Sequence, residues 1–70
     1  MTKFKVGDKV KYTAKYRNQF QDFNYRNKLR QSRGKIEYIS LDKKMFWANM
    51  KREGDTVQAW YTQWALKKID

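Results

Sequence analysis

Cysteine, histidine and proline are absent from this 70-residue chain, and glycine occurs three times. Without cysteine no disulfide can form, and without cysteine or histidine a Cys/His zinc site is excluded. The same absences remove the usual nucleophile–base pairs of covalent catalysis. Three scattered glycines do not make a glycine-rich phosphate loop. No stretch approaches the roughly 20 apolar residues of a membrane span. The opening Met1-Thr2-Lys3-Phe4-Lys5 has no apolar run behind it, so no signal peptide is read there. Lack of cross-links also points away from small secreted domains. The expectation is one domain over 1–70, cytoplasmic (intracellular), with no cofactor and no metal.

What remains is rich in aromatics and in positive charge. Three Trp, five Tyr and four Phe must supply most of the core, each burying roughly 150–250 Å². Seventeen Lys and Arg face seven Asp and Glu, a net charge of +10. The charge is uneven: residues 1–35 hold eleven cations and two acids, residues 36–70 six and five. Such asymmetry points to a partner of opposite sign, and +10 exceeds the magnitude of about 2–8 that suits a small domain.

Along the chain, Val10, Tyr12, Ala14 and Tyr16 alternate with Lys9, Lys11, Thr13 and Lys15, which predicts a first strand with one apolar and one basic face. Residues 17–32 are polar and amide-rich without clean periodicity, and are read as a long loop; Phe20 and Phe23, three apart, allow a short helical turn. Gly34 opens a second strand, Lys35 to Leu41, with Ile36 and Tyr38 on one face and Ile39 and Leu41 on the other. Asp42-Lys43-Lys44 makes a turn. Met45 to Lys51 is the third strand, with Phe46 and Trp47 on opposite faces. Arg52-Glu53-Gly54-Asp55 is the clearest hairpin signal, since glycine supplies the positive φ of tight turns. Thr56 to Thr62 forms a fourth strand, Gln63 to Leu66 a single 3₁₀ turn, and Lys67 to Ile69 a short closing strand.

Five short strands, a long first loop and a 3₁₀ turn before the last strand predict an all-β fold, a small five-stranded barrel. Val6-Gly7-Asp8-Lys9-Val10, Arg33-Gly34-Lys35-Ile36 and Trp64-Ala65-Leu66-Lys67-Lys68-Ile69 carry a resemblance to the SH3-like small barrel superfamily, in particular to its basic KOW-like or phage-type members. That resemblance implies that the first motif starts the barrel, the second opens its second strand and the last follows the 3₁₀ turn. Families of this fold bind nucleic acids, peptides, methylated lysines or acidic proteins, so fold alone decides little. Peptide-binding SH3 domains usually carry an acidic loop and an aromatic start, and this chain has neither.

The carboxylates Asp8, Asp42 and Asp55 suit turns better than catalysis, and Glu53 with Asp55 is turn chemistry rather than a cation site. No enzyme is expected. The basic residues are more informative. Arg26, Lys28, Arg30, Arg33 and Lys35 fall within ten residues, and Lys9, Lys11, Lys15 and Arg17 join them from the first strand and its end. Arginine forks to two phosphate oxygens and lysine serves as a mobile point charge. Tyr25, between Asn24 and Arg26, is the candidate for base stacking, while at least one of Phe20 and Phe23 is expected to pin the loop. Gln19, Gln21, Asn24, Asn27 and Gln31 could read base edges. Three tryptophans cannot all fit inside so small a barrel, and Trp60, on the more polar face of its strand, is the one expected outside. The expectation is a non-catalytic nucleic-acid-binding module, for DNA or RNA. The alternative is a protein-interaction module, a phage-type inhibitor or adaptor docking its basic face on an acidic protein.

Overall fold

The computed structural model describes residues 4–69. Its elements run β1 (Lys9–Tyr12), α1 (Ala14–Asn18), α2 (Phe23–Arg30), β2 (Arg33–Ile39), β3 (Met45–Arg52), β4 (Asp55–Thr62), a 3₁₀ turn (Gln63–Ala65) and β5 (Leu66–Lys68). The five strands form one antiparallel sheet in the order β4-β3-β2-β1-β5. The fold is therefore mostly β rather than all-β, with two short helices where the sequence predicts a loop. The sheet is not closed into a barrel by hydrogen bonds, because the 3₁₀ turn carries the chain from β4 across to β1. All three residues of β5 then pair with β1, leaving β4 and β5 as opposite edges.

The alternation that predicts one strand from Lys9 to Tyr16 breaks at Thr13. Its hydroxyl accepts from the Tyr16 amide at 3.1 Å and donates to the Trp64 carbonyl at 2.8 Å. A side chain that bonds the backbone three residues on starts a helix instead of extending a strand. Lys15 and Tyr16 thus lie on α1, not on the strand. Asp22 repeats the device: its carboxylate accepts from the Asn24 and Tyr25 amides at 2.9 and 3.3 Å. Residues 23–30 then coil into α2, with Lys28 and Arg30 in its last turn, where cations complement the exposed carbonyls. The buried Ser32 ends the segment by donating to the Lys28 carbonyl at 2.9 Å.

β2 begins at Arg33, two residues earlier than predicted, and carries a bulge at Glu37: Ile36 pairs with Ala48, but Tyr38 pairs with Trp47. One extra residue reverses the facing of every later residue in the strand. Ile36 is buried while Tyr38 is exposed, so the two do not share a face, and Ile39 packs against the core instead. Leu41 lies in the turn after β2, fully exposed. The β3–β4 hairpin matches the expected signal, with Arg52 opposite Asp55 and Gly54 at φ 86°.

The core lies on the inner face of the sheet and comprises Phe4, Val10, Tyr12, Ile36, Phe46, Ala48, Met50, Tyr61, Ala65 and Leu66, with Leu29 from α2. Phe4 meets Phe46 edge-on at 5.0 Å. Tyr16, Phe20 and Tyr25 pack on this cluster from the helical segment. The helices therefore cover the inner side, and the outer face of β1 to β4 stays open. No helix among the described residues is long and apolar enough to cross a membrane.

Candidate functional site

Side chains alternate along a strand, so the register decides which residues share the outer face. On that face Lys9 stands opposite Lys35, Lys35 opposite Asn49, and Asn49 opposite Gln58. The neighbouring row places Arg33 against Lys51, and Lys11 of β1 against Lys67 of β5. Three directly opposed cation pairs, Lys9–Lys35, Lys11–Lys67 and Arg33–Lys51, thus occupy one side of one small sheet. Among the described residues no carboxylate lies within salt-bridge distance of any of these six. Lys9, Arg33, Lys35, Lys51 and Asn49, with Glu37 and Ile69, line a shallow groove of about 610 Å³.

Past Asn49 the same face turns aromatic. Tyr38, Trp47 and Trp60 form one row across β2, β3 and β4. The two indoles meet edge to face at 5.5 Å. Tyr38 is 63% exposed and Trp60 46%. The bulge at Glu37 is what brings Tyr38 out to this row.

The residues singled out from the sequence fall on two separate surfaces. Lys9, Lys11, Arg33 and Lys35 lie on the cationic part of the sheet, and Trp60 lies in its aromatic row. Lys15, Arg17, Tyr25, Arg26, Lys28 and Arg30 belong to the helices. There Arg17, Arg26 and Arg30 line a notch of about 320 Å³ together with Phe23, Asn18 and Asn27. Phe23 is 72% exposed, with the Arg26 guanidinium 5.9 Å from its ring centre. Lys15 sits over Trp64 at 5.4 Å. Arg33 also reaches the end of α2, donating to the Arg30 and Ser32 carbonyls at 2.9 and 2.8 Å.

Tyr25 and Lys28 are engaged within the protein. The Tyr25 ring packs edge-on to Phe20 at 5.0 Å, and its hydroxyl accepts from Arg52 at 3.3 Å. Arg52 grips Asp55 through two bonds of 3.0 and 2.9 Å, and Lys28 approaches the same carboxylate at 3.9 Å. The guanidinium holds Asp55 below the usual carboxylate range. Phe20 pins the segment, so Phe23 is the ring left with open surface. Beneath the helices, Tyr12 and Tyr61 share a buried hydroxyl–hydroxyl bond of 2.7 Å. Burial first, and then that bond, push the Tyr12 phenol well above its ordinary value; burial also raises Tyr16.

No protein-family model, curated protein or solved structure matches this chain.

Sequence reasoning does not assign Tyr38, Trp47, Asn49, Lys51 or Lys67 to the site. A signal for three of them is present. In β3 the residues Phe46, Ala48 and Met50 are apolar, while Trp47, Asn49 and Lys51 include the polar set. One parity therefore belongs inside, and Trp47 goes out with its polar companions. Tyr38 is hidden by the bulge. Among the described residues no group of three His, Cys, Asp or Glu side chains comes together to hold a metal ion.

Proposed function

We propose that the chain is a non-catalytic nucleic-acid-binding module that works through the outer face of its sheet. The observation that carries this reading is the set of three cation pairs opposed across strands. Like charges directly opposite each other destabilise a sheet. A surface that keeps three such pairs without carboxylate partners holds a concentrated positive field, and phosphates relieve the repulsion when they bind. Lysines would act as point charges on the backbone, while Arg33, which donates to the Arg30 and Ser32 carbonyls, adds positive charge beside them. The aromatic row alongside offers stacking surface for bases.

The finer reading of the fold, a small SH3-like barrel of the basic KOW-like or phage type, is supported by the strand order. β1 lies between β2 and β5, a single 3₁₀ turn precedes the last strand, and the Val6-Gly7-Asp8 turn leads into β1.

A second reading, docking on an acidic protein surface, is favoured by the helical notch. An exposed phenylalanine beside Arg26, in a notch that Arg17 and Arg30 also line, has the make-up of an interface anchor. Pulldown with the tagged protein from lysate, with and without nuclease, separates the two. Nuclease should release the bound material; an acidic protein that survives treatment and binds again when purified favours the second reading. With a labelled oligonucleotide, affinity should fall linearly on a log–log salt plot. A flat salt response refutes the nucleic-acid reading.

A further inference from the structure

We infer that the outer sheet face takes single-stranded nucleic acid in preference to duplex, with unpaired bases on the Tyr38–Trp47–Trp60 row and phosphates on the Lys9, Lys35 and Lys51 side. This inference rests on the nucleic-acid reading above and names its substrate class.

Width argues first. Strands lie about 4.8 Å apart, so β1 to β4 spans roughly 14 Å between backbones alone. The major groove of a duplex is about 12 Å wide and admits a helix or a two-stranded ribbon. A four-strand face cannot enter it, so on duplex the aromatic row would meet only the outside of the helix. Bases of a single strand have free π-faces that exposed rings can stack against. Tyr38 and Trp60 present such rings on neighbouring sides of Trp47.

The order of chemistry along β3 argues second. Trp47, Asn49 and Lys51 point to the same side at two-residue steps, about 7 Å apart. An aromatic, an amide and a cation in line match the base face, base edge and phosphate of an extended nucleotide chain. Asn49 sits between the two ends and lines the groove beside Lys35 and Lys51.

The test uses the full chain with Trp64→Phe, so that Trp47 and Trp60 alone report fluorescence. It is titrated at low salt with a DNA strand of about 12 nucleotides, and with the same strand annealed to its complement. The single strand should quench the fluorescence and bind at least tenfold more tightly than the duplex. Trp60→Ala and, separately, Tyr38→Ala in that background should each weaken single-strand binding on the order of tenfold. Both residues are exposed, and circular dichroism checks that each variant folds. Duplex binding equal to or tighter than single-strand binding, without quenching, overturns the inference and leaves the nucleic-acid reading standing. Single-strand binding that neither aromatic variant weakens also overturns it. Binding of neither form refutes the nucleic-acid reading itself.

Discussion

Changing Lys9, Lys35 and Lys51 together to Gln should separate a binding site from a diffuse positive field. All three line the groove on the outer face, and Lys9 stands directly opposite Lys35. A matched control changes Lys5, Lys43 and Lys44, which are exposed and lie outside the strands. Each triple variant lowers the net charge from +10 to +7. On a single strand each phosphate contact contributes about −0.7 to the log–log salt slope. Losing three contacts should make the slope shallower by about two. Carried from ~1 M to ~0.1 M salt, the same slope predicts roughly a 100-fold loss of affinity for the groove variant. The control loses only long-range attraction, which is screened beyond about 10 Å at that salt, so a few-fold change is expected. Stability should move the other way. Removing the Lys9–Lys35 repulsion should leave the groove variant as stable as the parent, or a few tenths of a kcal/mol more stable. Anisotropy titrations of a labelled oligonucleotide at several salt concentrations, paired with urea denaturation, read both quantities. Equal affinity losses in the two variants, with equal slopes, would refute the site. A groove variant that loses binding because it unfolds would refute the claim that these lysines strain the sheet.

Tyr61→Phe leaves the buried Tyr12 hydroxyl without its 2.7 Å partner and should cost about 1–3 kcal/mol, whereas the Tyr12→Phe/Tyr61→Phe double variant should approach the parent; urea midpoints check both. The Tyr12 phenol is raised in the fold, mainly by burial, so its contribution is complete below the ordinary tyrosine pKa of about 10 and is lost as pH rises above it. Stability should then fall by up to ~1.4 kcal/mol per pH unit above that point, more steeply in the parent than in Tyr12→Phe, as denaturant melts in alkaline buffer will show. Gly34→Ala should destabilise by about 1–3 kcal/mol, because the added Cβ would lie 2.5 Å from the Asn49 carbonyl oxygen and 2.9 Å from the Met50 Cα, and backbone atoms cannot rotate away; a thermal midpoint equal to the parent's would show that β2 and β3 can separate freely.

The strands are legible where period two holds and are misread where a single local feature breaks it. The predicted β3 and β4 come within one residue of their observed ends because their apolar positions alternate and Glu53-Gly54 closes a tight hairpin. Alternation alone makes the first strand four residues too long. Ala14 and Tyr16 continue the apolar pattern, but the Thr13 hydroxyl captures the Tyr16 amide and turns the chain into α1. α2 escapes notice for a related reason. Its sequence, Phe-Asn-Tyr-Arg-Asn-Lys-Leu-Arg, buries one residue, Leu29, so it has no apolar stripe for a periodicity search to find. Its start is set by the Asp22 cap, which lies in a run of amides that resembles a loop. Closure of the barrel is not readable at all, since it depends on which strand β5 pairs with and not on any pattern within β5.

The site shows the same division between parity and topology, and the consequence is functional. Charge counting places eleven cations in residues 1–35 and treats strand and loop as one surface. Folding that region into helices sends Arg17, Arg26 and Arg30 to a notch that Phe23 also lines, while Lys9, Arg33 and Lys35 remain on the sheet. The charge excess of residues 1–35 is therefore shared between two faces. The sheet face is then completed from the half that looks neutral in sum: Lys51, Lys67, Trp47 and Trp60 all come from residues 36–70. A net charge near zero for that half hides its segregation, because Asp55 is held by Arg52 while Lys51, the preceding residue, points the other way into the groove. Alternation in β3 puts one cation against an internal partner and its neighbour toward the outside. That separation, more than the total of +10, is what gives the outer face cations that are available to a partner.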